Sequence, residues 1–389
     1  MVQIPSKTNR IWKKIQEWLF QQRFQDWIKW VVVGICLLIV YIQLVECCYK
    51  LKNPPITSHS ILSLNDSLFY PAVTICREPP YNKEVFPKFN FPVDHIGSFP
   101  YSSFWKNYPY DIYNISDFWN EAVYDQSVLS SCGLDRKNVN ITSSLHLKNG
   151  MCHTIKPIFP VQSVGRRSGY SLFLTHDLQD YKPLVDEEPG WKIYIHEPRE
   201  KFSENINLMS SRQDHVFVPV GEITEVSIDA YQFNVLRNCS DEENYSVTEC
   251  EENCTINEDI KPNVPCTGPW FPNLDKRLCN NYEEMRTLLK AAFGIKYKNC
   301  CKKNCKTTHY KLFVVKRTPC PEERKLSSTA IIYFSSKTVI TLEERYSYNW
   351  SDFLGEIGGT VGFLLGLSII GAIDIISDAF KNYHHNKNQ

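Results

Sequence analysis

Neither sign of charge dominates this chain of 389 residues: 43 lysines and arginines balance 43 aspartates and glutamates. That balance removes the electrostatic footprint of a nucleic-acid binder. Catalytic signatures are missing as well. There is no Walker loop, no H-E-x-x-H, no G-x-S-x-G and no paired nucleotide-phosphatase motif, so nothing in the sequence argues for an enzyme. No internal repeat or low-complexity tract is visible. Long apolar runs are scarce, and the mean hydropathy of −0.33 is too polar for a transporter with many spans. It suits one or two membrane segments that carry a polar domain.

Two such segments stand out. The first covers residues 27–49, with the unbroken core WVVVGICLLIV at Trp30–Val40, and the second covers residues 353–376, FLGEIGGTVGFLLGLSIIGAIDII. Each has the length a helix needs to cross the roughly 30 Å of bilayer hydrocarbon. A cleaved signal peptide fits the first poorly, because no small-residue cleavage pattern follows it. A lipid-anchor signal fits the second poorly, because the mostly polar stretch Ser377–Gln389 comes after it. Lys7, Arg10, Lys13, Lys14 and Arg23 outweigh Glu17 and Asp26 ahead of the first segment, which favours the cytosolic side for residues 1–26. Two spans return residues 377–389 to the cytosol and place residues 50–352 outside.

Two features support an extracellular middle. Asn65, Asn114, Asn140, Asn238, Asn244, Asn253 and Asn349 each head an N-x-S/T sequon, and all seven lie between the two segments. Twelve of the 15 cysteines lie there too, an even number, as a disulfide framework in an oxidising compartment requires. The others, Cys36, Cys47 and Cys48, belong to the first segment and its outer end. Cys250-x3-Cys254 and Cys301-x3-Cys305 have spacings that zinc can use, but outside the cell disulfides are the expected fate and no metal is expected.

Along the middle, alternating runs predict strands at Leu68–Cys76, Lys192–His196, Val216–Val220, Glu225–Ile228 and Ala330–Leu342. Residues 77–131 are dense in aromatics and prolines and read as loops with a short helix at Ser116–Tyr124. Nine cysteines crowd Cys239–Cys320, with acidic clusters at Asp241–Glu243, Glu249–Glu252 and Glu258–Asp259 and helices expected at Val247–Asn253 and Tyr282–Ala292. The fold class is thus a membrane α+β protein. Two transmembrane helices flank a large disulfide-rich extracellular domain with a central β-sheet and a cysteine-stapled helical lobe.

The second apolar segment is unusual for a plain anchor. Gly358, Gly362 and Gly366 recur every four residues, and so do Gly355 and Gly359, a spacing that lets helices approach closely in a bilayer and already implies oligomerisation. Gly366-Leu367-Ser368 lies beyond them, and Gly371, Asp374 and Asp378 follow on one helix face. An intramembrane carboxylate is expensive and faces water or a partner, and rings of acidic side chains attract cations to pores. An aspartate near a helix end can instead reach the headgroups.

At this point the residues resemble a known family. Phe69-Tyr70-Pro71-Ala72-Val73-Thr74-Ile75-Cys76 is similar to the F-P-A-V-T-I-C signature after the first span of degenerin/epithelial sodium channels. Gly355-Glu356-Ile357-Gly358-Gly359 through Gly366-Leu367-Ser368 resembles their second span, and Tyr245–Cys254 resembles the start of their thumb region. The resemblance covers about residues 27–378, and invertebrate pickpocket and degenerin subunits look most alike.

The resemblance implies a homo- or heterotrimer around a sodium-permeable pore in the plasma membrane. It also implies block by amiloride-type compounds, and no cofactor beyond the permeant sodium ion. By position, Gly366, Leu367 and Ser368 would be the selectivity filter. Gly355 would stand beside the extracellular gate with Glu356 next to it, and Asp374 would take the place of a family glutamate below the filter. It further implies the pairs Cys76–Cys152, Cys239–Cys305, Cys250–Cys301, Cys254–Cys300 and Cys266–Cys279, with a thumb over about residues 239–305, which leaves Cys132 with Cys320. Two departures stand out. The family's His-Gly motif before the first span is absent from Ser6-Lys7-Thr8-Asn9-Arg10, and Leu236 replaces the usual tryptophan before the thumb. A non-conducting two-pass receptor or accessory subunit is the alternative reading. An ATP-gated channel would need a basic nucleotide site. The sequence does not name the stimulus: the acidic clusters are candidates for proton sensing, and also for an ordinary solvated face.

Overall fold

A computed structural model describes residues 7–92, 103–124, 130–133, 139–176, 188–204, 213–271, 273–294 and 300–366. The chain forms two compact units, one from the residues up to Ser58 and from Glu344 onward, the other from His59–Glu343.

The first unit contains helices α1 (Lys7–Lys52) and, last in chain order, α5 (Trp350–Leu365). Within α1 the stretch Trp30–Lys52 has a mean hydropathy of 2.5 and is long and apolar enough to cross a membrane, the one such helix among the described residues. Its Trp30, Leu38 and Ile42 are exposed, and among the described residues no core covers them. The helix stops just ahead of Pro54-Pro55, because a proline disfavours helical backbone in the residue before it. At the start of α5, Asn349 Oδ1 accepts from the Ser351 and Asp352 amides at 2.7 and 3.1 Å, and the Asp352 carboxylate accepts from the Asn349 amide at 3.0 Å. This reciprocal capping satisfies amides that the first turn leaves open.

The second unit is built on two sheets. The first has strand order β12-β9-β13-β6-β3, with β1 also on β13. Its strands are β1 (Ile56–Leu64), β3 (Ser130–Gly133), β6 (Tyr170–Thr175), β9 (Glu222–Asn234), β12 (Lys306–Pro319) and β13 (Ser327–Tyr346). The second has order β4-β5-β2-β7-β8, from β2 (Ala72–Glu78), β4 (Val139–His146), β5 (Gly150–Pro157), β7 (Gly190–His196) and β8 (Gln213–Pro219), while the short β10 (Cys239–Ser240) and β11 (Lys303–Asn304) pair with each other. Period-two alternation puts Leu172 and Leu174, Val226 and Ile228, and Ala330 and Ile332 on one inner face, with Val73 and Ile75, Ile193 and Ile195, and Val216 and Val218 on the other. They share one buried core, the sheet-on-sheet arrangement that hides two apolar faces at once.

A second core is aromatic and helical. Phe89, Phe91, Trp105, Phe118 and Trp119 meet Trp270, Met285, Leu288 and Leu289. It joins the segment around α2 (Ile115–Ala122) to the lobe of α3 (Val247–Thr255) and α4 (Tyr282–Phe293). Trp105 and Trp119 stack with centroids 5.0 Å apart. The expected helix ends are close to those observed, except that α3 continues into a π-helical turn over Ile256–Ile260.

Five disulfides staple this unit: Cys76–Cys152, Cys239–Cys305, Cys250–Cys301, Cys254–Cys300 and Cys266–Cys279. Three of them nest, with separations of 66, 51 and 46 residues. Cys250 and Cys254 stand one turn apart on one face of α3, so both reach the same returning segment. Each such bridge contributes about 2–4 kcal/mol. The expected sixth bridge requires correction: Cys320 is a free thiol. Cys132 lies on β3 at one edge of the first sheet, while Cys320 follows β12 at the other edge. Four strand spacings of about 4.8 Å separate them, far beyond the Cα reach of a disulfide.

Candidate functional site

The end of α1 near Lys50 and the start of α5 bring together side chains from both helices. Glu356, on α5, sits in an otherwise apolar stretch and needs donors. Tyr348 donates its hydroxyl to Glu356 Oε2 at 2.7 Å and the Cys47 thiol donates to the same oxygen at 3.3 Å. Lys50 Nζ lies 3.4 Å from Oε1 and also pairs with Glu46 at 3.0 Å. Cys47 and Lys50 are one turn apart on α1, so the two residues present one donor surface. The cluster fastens α1, α5 and the entry to α5 to a single carboxylate.

Gly355 precedes this carboxylate. A Cβ built on it would meet nothing within 4 Å, and the same holds for Gly358 and Gly359. Among the described residues, therefore, packing does not require these glycines. Gly366 ends α5 with φ 63° and ψ 18°, the left-handed region that glycine enters without strain. Leu367, Ser368 and Asp374 lie outside the described residues.

Among the sequons, Asn114, Asn140, Asn238, Asn244 and Asn349 are exposed, and Asn65 and Asn253 are half-buried. Asn114 and Asn349 both cap helices through Oδ1. That leaves the amide nitrogen, the atom that would carry a sugar.

The acidic cluster at the start of the helical lobe is not a uniformly solvated face. Glu249 pairs with Lys201, Glu251 is buried and Glu252 accepts from the Ser203 hydroxyl at 3.2 Å. Withdrawal from water pushes the Glu252 carboxyl up to about 7, with the Ser203 bond opposing and Glu204 adding to the rise. Unfolded glutamate titrates near 4.3, so between that value and about 7 the folded state holds a proton that the unfolded chain has released. Stability from this group therefore grows as pH falls through 7, and the ionised form is a burden above it. Glu252→Gln is expected to stabilise the purified chain at pH 8 by about 1–3 kcal/mol, and to give no advantage near pH 4.5, as read from melting temperatures. A variant with the same advantage at both pH values would show that Glu252 is not the titrating group.

The described residues combine a large disulfide-stapled β-rich unit with one helix long and apolar enough to cross a membrane. The chain belongs to the amiloride-sensitive sodium channel family, whose profile matches residues 21–377. Epithelial sodium channel subunit beta of Canis lupus familiaris is 25% identical over 284 residues, covering 60% of this chain and 44% of the relative. Acid-sensing ion channel 2 of Danio rerio is 23% identical over 256 residues, covering 56% of this chain and 46% of the relative. The chain thus spans less than half the length of these two relatives. A cryo-EM structure of a proton-activated chloride channel matches at 9% identity and a TM-score of 0.35, covering 92% of this chain and 98% of that one. A likeness that slight carries no argument.

Proposed function

We propose that the chain is one subunit of a trimeric, sodium-permeable, amiloride-sensitive cation channel opened by an extracellular stimulus. In this reading residues 27–49 and 353–376 span the plasma membrane. Residues 1–26 and 377–389 are cytosolic, and residues 50–352 are outside. Gly366, Leu367 and Ser368 form the filter, Gly355 and Glu356 stand at the gate, and Asp374 lines the pore below. The observation that carries the reading is the end of α5 at Gly366 in left-handed backbone, at the first residue of the G-x-S triplet. Non-helical backbone at membrane depth is tolerated where it lines water, and freed carbonyls there can replace the hydration shell of an ion.

Whole-cell recording with sodium replacement and amiloride tests it, with the chain expressed alone and with related subunits. An inward current that disappears with sodium and is blocked by amiloride is expected. Surface expression without current in every combination supports the non-conducting receptor instead, the reading that the missing His-Gly motif favours. The topology has its own test. Glycosidase treatment of the cell-expressed protein is expected to increase its gel mobility, and an unchanged band would count against placing residues 50–352 outside.

A further inference from the structure

The two helices of the first unit meet closely at one place. Of the described side chains on α1 only Cys47 is buried, and α5 has no buried residue. Among the described residues, then, the pair is held less by packing than by the Glu356 carboxylate and its donors. Those donors divide between two sides. Cys47 and Lys50 stand on α1, while Tyr348 belongs to the entry of α5 and holds Glu356 through its hydroxyl at 2.7 Å.

Lys50 is shared between two carboxylates. Its Nζ lies 3.0 Å from Glu46 on its own helix and 3.4 Å from Glu356 on α5. The i,i+4 spacing keeps Glu46 beside Lys50 wherever α1 goes. When the helices separate, Lys50 keeps Glu46 and Glu356 keeps Tyr348, so no charge loses its last partner. Cys47 alone loses its contacts, with Glu356 and with the Tyr348 hydroxyl, and a thiol is a weak donor. The side chains of Lys50, Glu46 and Glu356 are 35, 60 and 48% exposed, so water reaches these ion pairs and each one is weak. Joining the helices also brings Glu46 and Glu356 to the same ammonium, where the two like charges repel. We infer that the cluster is a latch with two satisfied arrangements. In one, α1 is joined to α5 through Lys50, Cys47 and Glu356; in the other, α1 has parted from α5 and Lys50 rests on Glu46 alone. Glu46 draws Lys50 back to α1 and repels Glu356, and so sets how often the latch opens. The inference goes beyond the channel reading and does not depend on it.

Cys47 reports the parting, because it is 4% exposed while the helices are joined. The test is the rate at which N-ethylmaleimide adds to Cys47 in the purified full chain in lipid nanodiscs. The exposed neighbour is removed by Cys48→Ser, and the product is read by mass spectrometry of the peptide that carries Cys47. The parent thiol is expected to react, more slowly than in the denatured chain, as a group reached by local opening does. Glu46→Gln removes the competing carboxylate and is expected to slow the reaction about twofold, the scale set by one exposed i,i+4 pair. Lys50→Met removes the cation that joins the helices and is expected to speed it severalfold. Both signs oppose the effect of charge alone, since a thiol reacts as its anion, which loss of a carboxylate favours and loss of an ammonium disfavours. A Cys47 that reacts only after denaturation, or as fast before it as after, overturns the inference. So does a Glu46→Gln rate that is faster or unchanged, or a Lys50→Met rate that is slower or unchanged. The rates are measured on purified protein, so the outcome is independent of whether the chain conducts.

Discussion

Ser368→Leu is expected to abolish the sodium current or remove its preference for sodium, while the subunit still reaches the cell surface. The proposed pore gives the reason. If three subunits surround one axis, each change at this depth appears three times. Gly366 turns the backbone out of helical geometry, and in the proposed pore the next residues would offer carbonyls and the Ser368 hydroxyl to the permeating ion. A leucine ring would replace three polar groups with three isobutyl groups, leaving an apolar constriction that water and a partly dehydrated ion avoid. Asp374→Asn tests the same axis differently. Removing three negative charges below the filter lowers the local cation concentration, so single-channel conductance is expected to fall by severalfold while assembly is spared, because no packing volume changes. Surface labelling separates a lost pore from a lost protein. If both variants conduct like a conducting parent, this segment does not line the pore.

What could be read from the sequence followed the strength of each local signal. Inner strands such as β2 and β7 alternate or run continuously apolar, and they were legible. Strands β4 and β12 were not. The first is N-I-T-S-S over its exposed residues 140–144 and the second is exposed along most of its length, so neither shows a clear apolar alternation. They exist because their backbones pair with β5 and β9. Strand order was equally invisible, which is why Cys132 and Cys320, left over in a count, were set together although they belong to opposite edges of one sheet. The aromatic segment showed its composition but not its partners, since Trp119 meets Trp270 across a long stretch of chain.

The candidate site divides in the same way. Gly355, Glu356 and Gly366 were found from spacing and resemblance. The donors around Glu356 were not, because Cys47 and Lys50 lie 309 and 306 residues away in sequence. A usable signal existed. A carboxylate in an apolar helix demands a partner, and Lys50 closes the only other long apolar run. In the acidic cluster, charge alone could not distinguish Glu249, paired at the surface, from Glu252, whose proton is held by its surroundings.

Gly355→Phe is expected to leave the channel open without its stimulus, as a standing current that sodium removal abolishes. Two observations shape this expectation. A Cβ at Gly355 meets nothing within 4 Å among the described residues, so the stem of a side chain there enters open space. The next residue, Glu356, is fixed by Tyr348, Cys47 and Lys50, so α5 cannot easily rotate to move the new ring elsewhere. In the proposed trimer the ring would then occupy the space toward neighbouring subunits, where small residues allow helices to converge. Three phenylalanines there would act as wedges that hold the outer helix ends apart and favour the open arrangement over the closed one. Gly355→Ala adds a single methyl and is expected to behave much more like the parent, which makes the effect one of volume. Combining Gly355→Phe with Glu356→Gln weakens the grip on the carboxylate and frees α5 to turn, so the standing current should shrink. A Gly355→Phe channel that stays silent at rest, reaches the surface and opens normally to its stimulus would remove Gly355 from the gate.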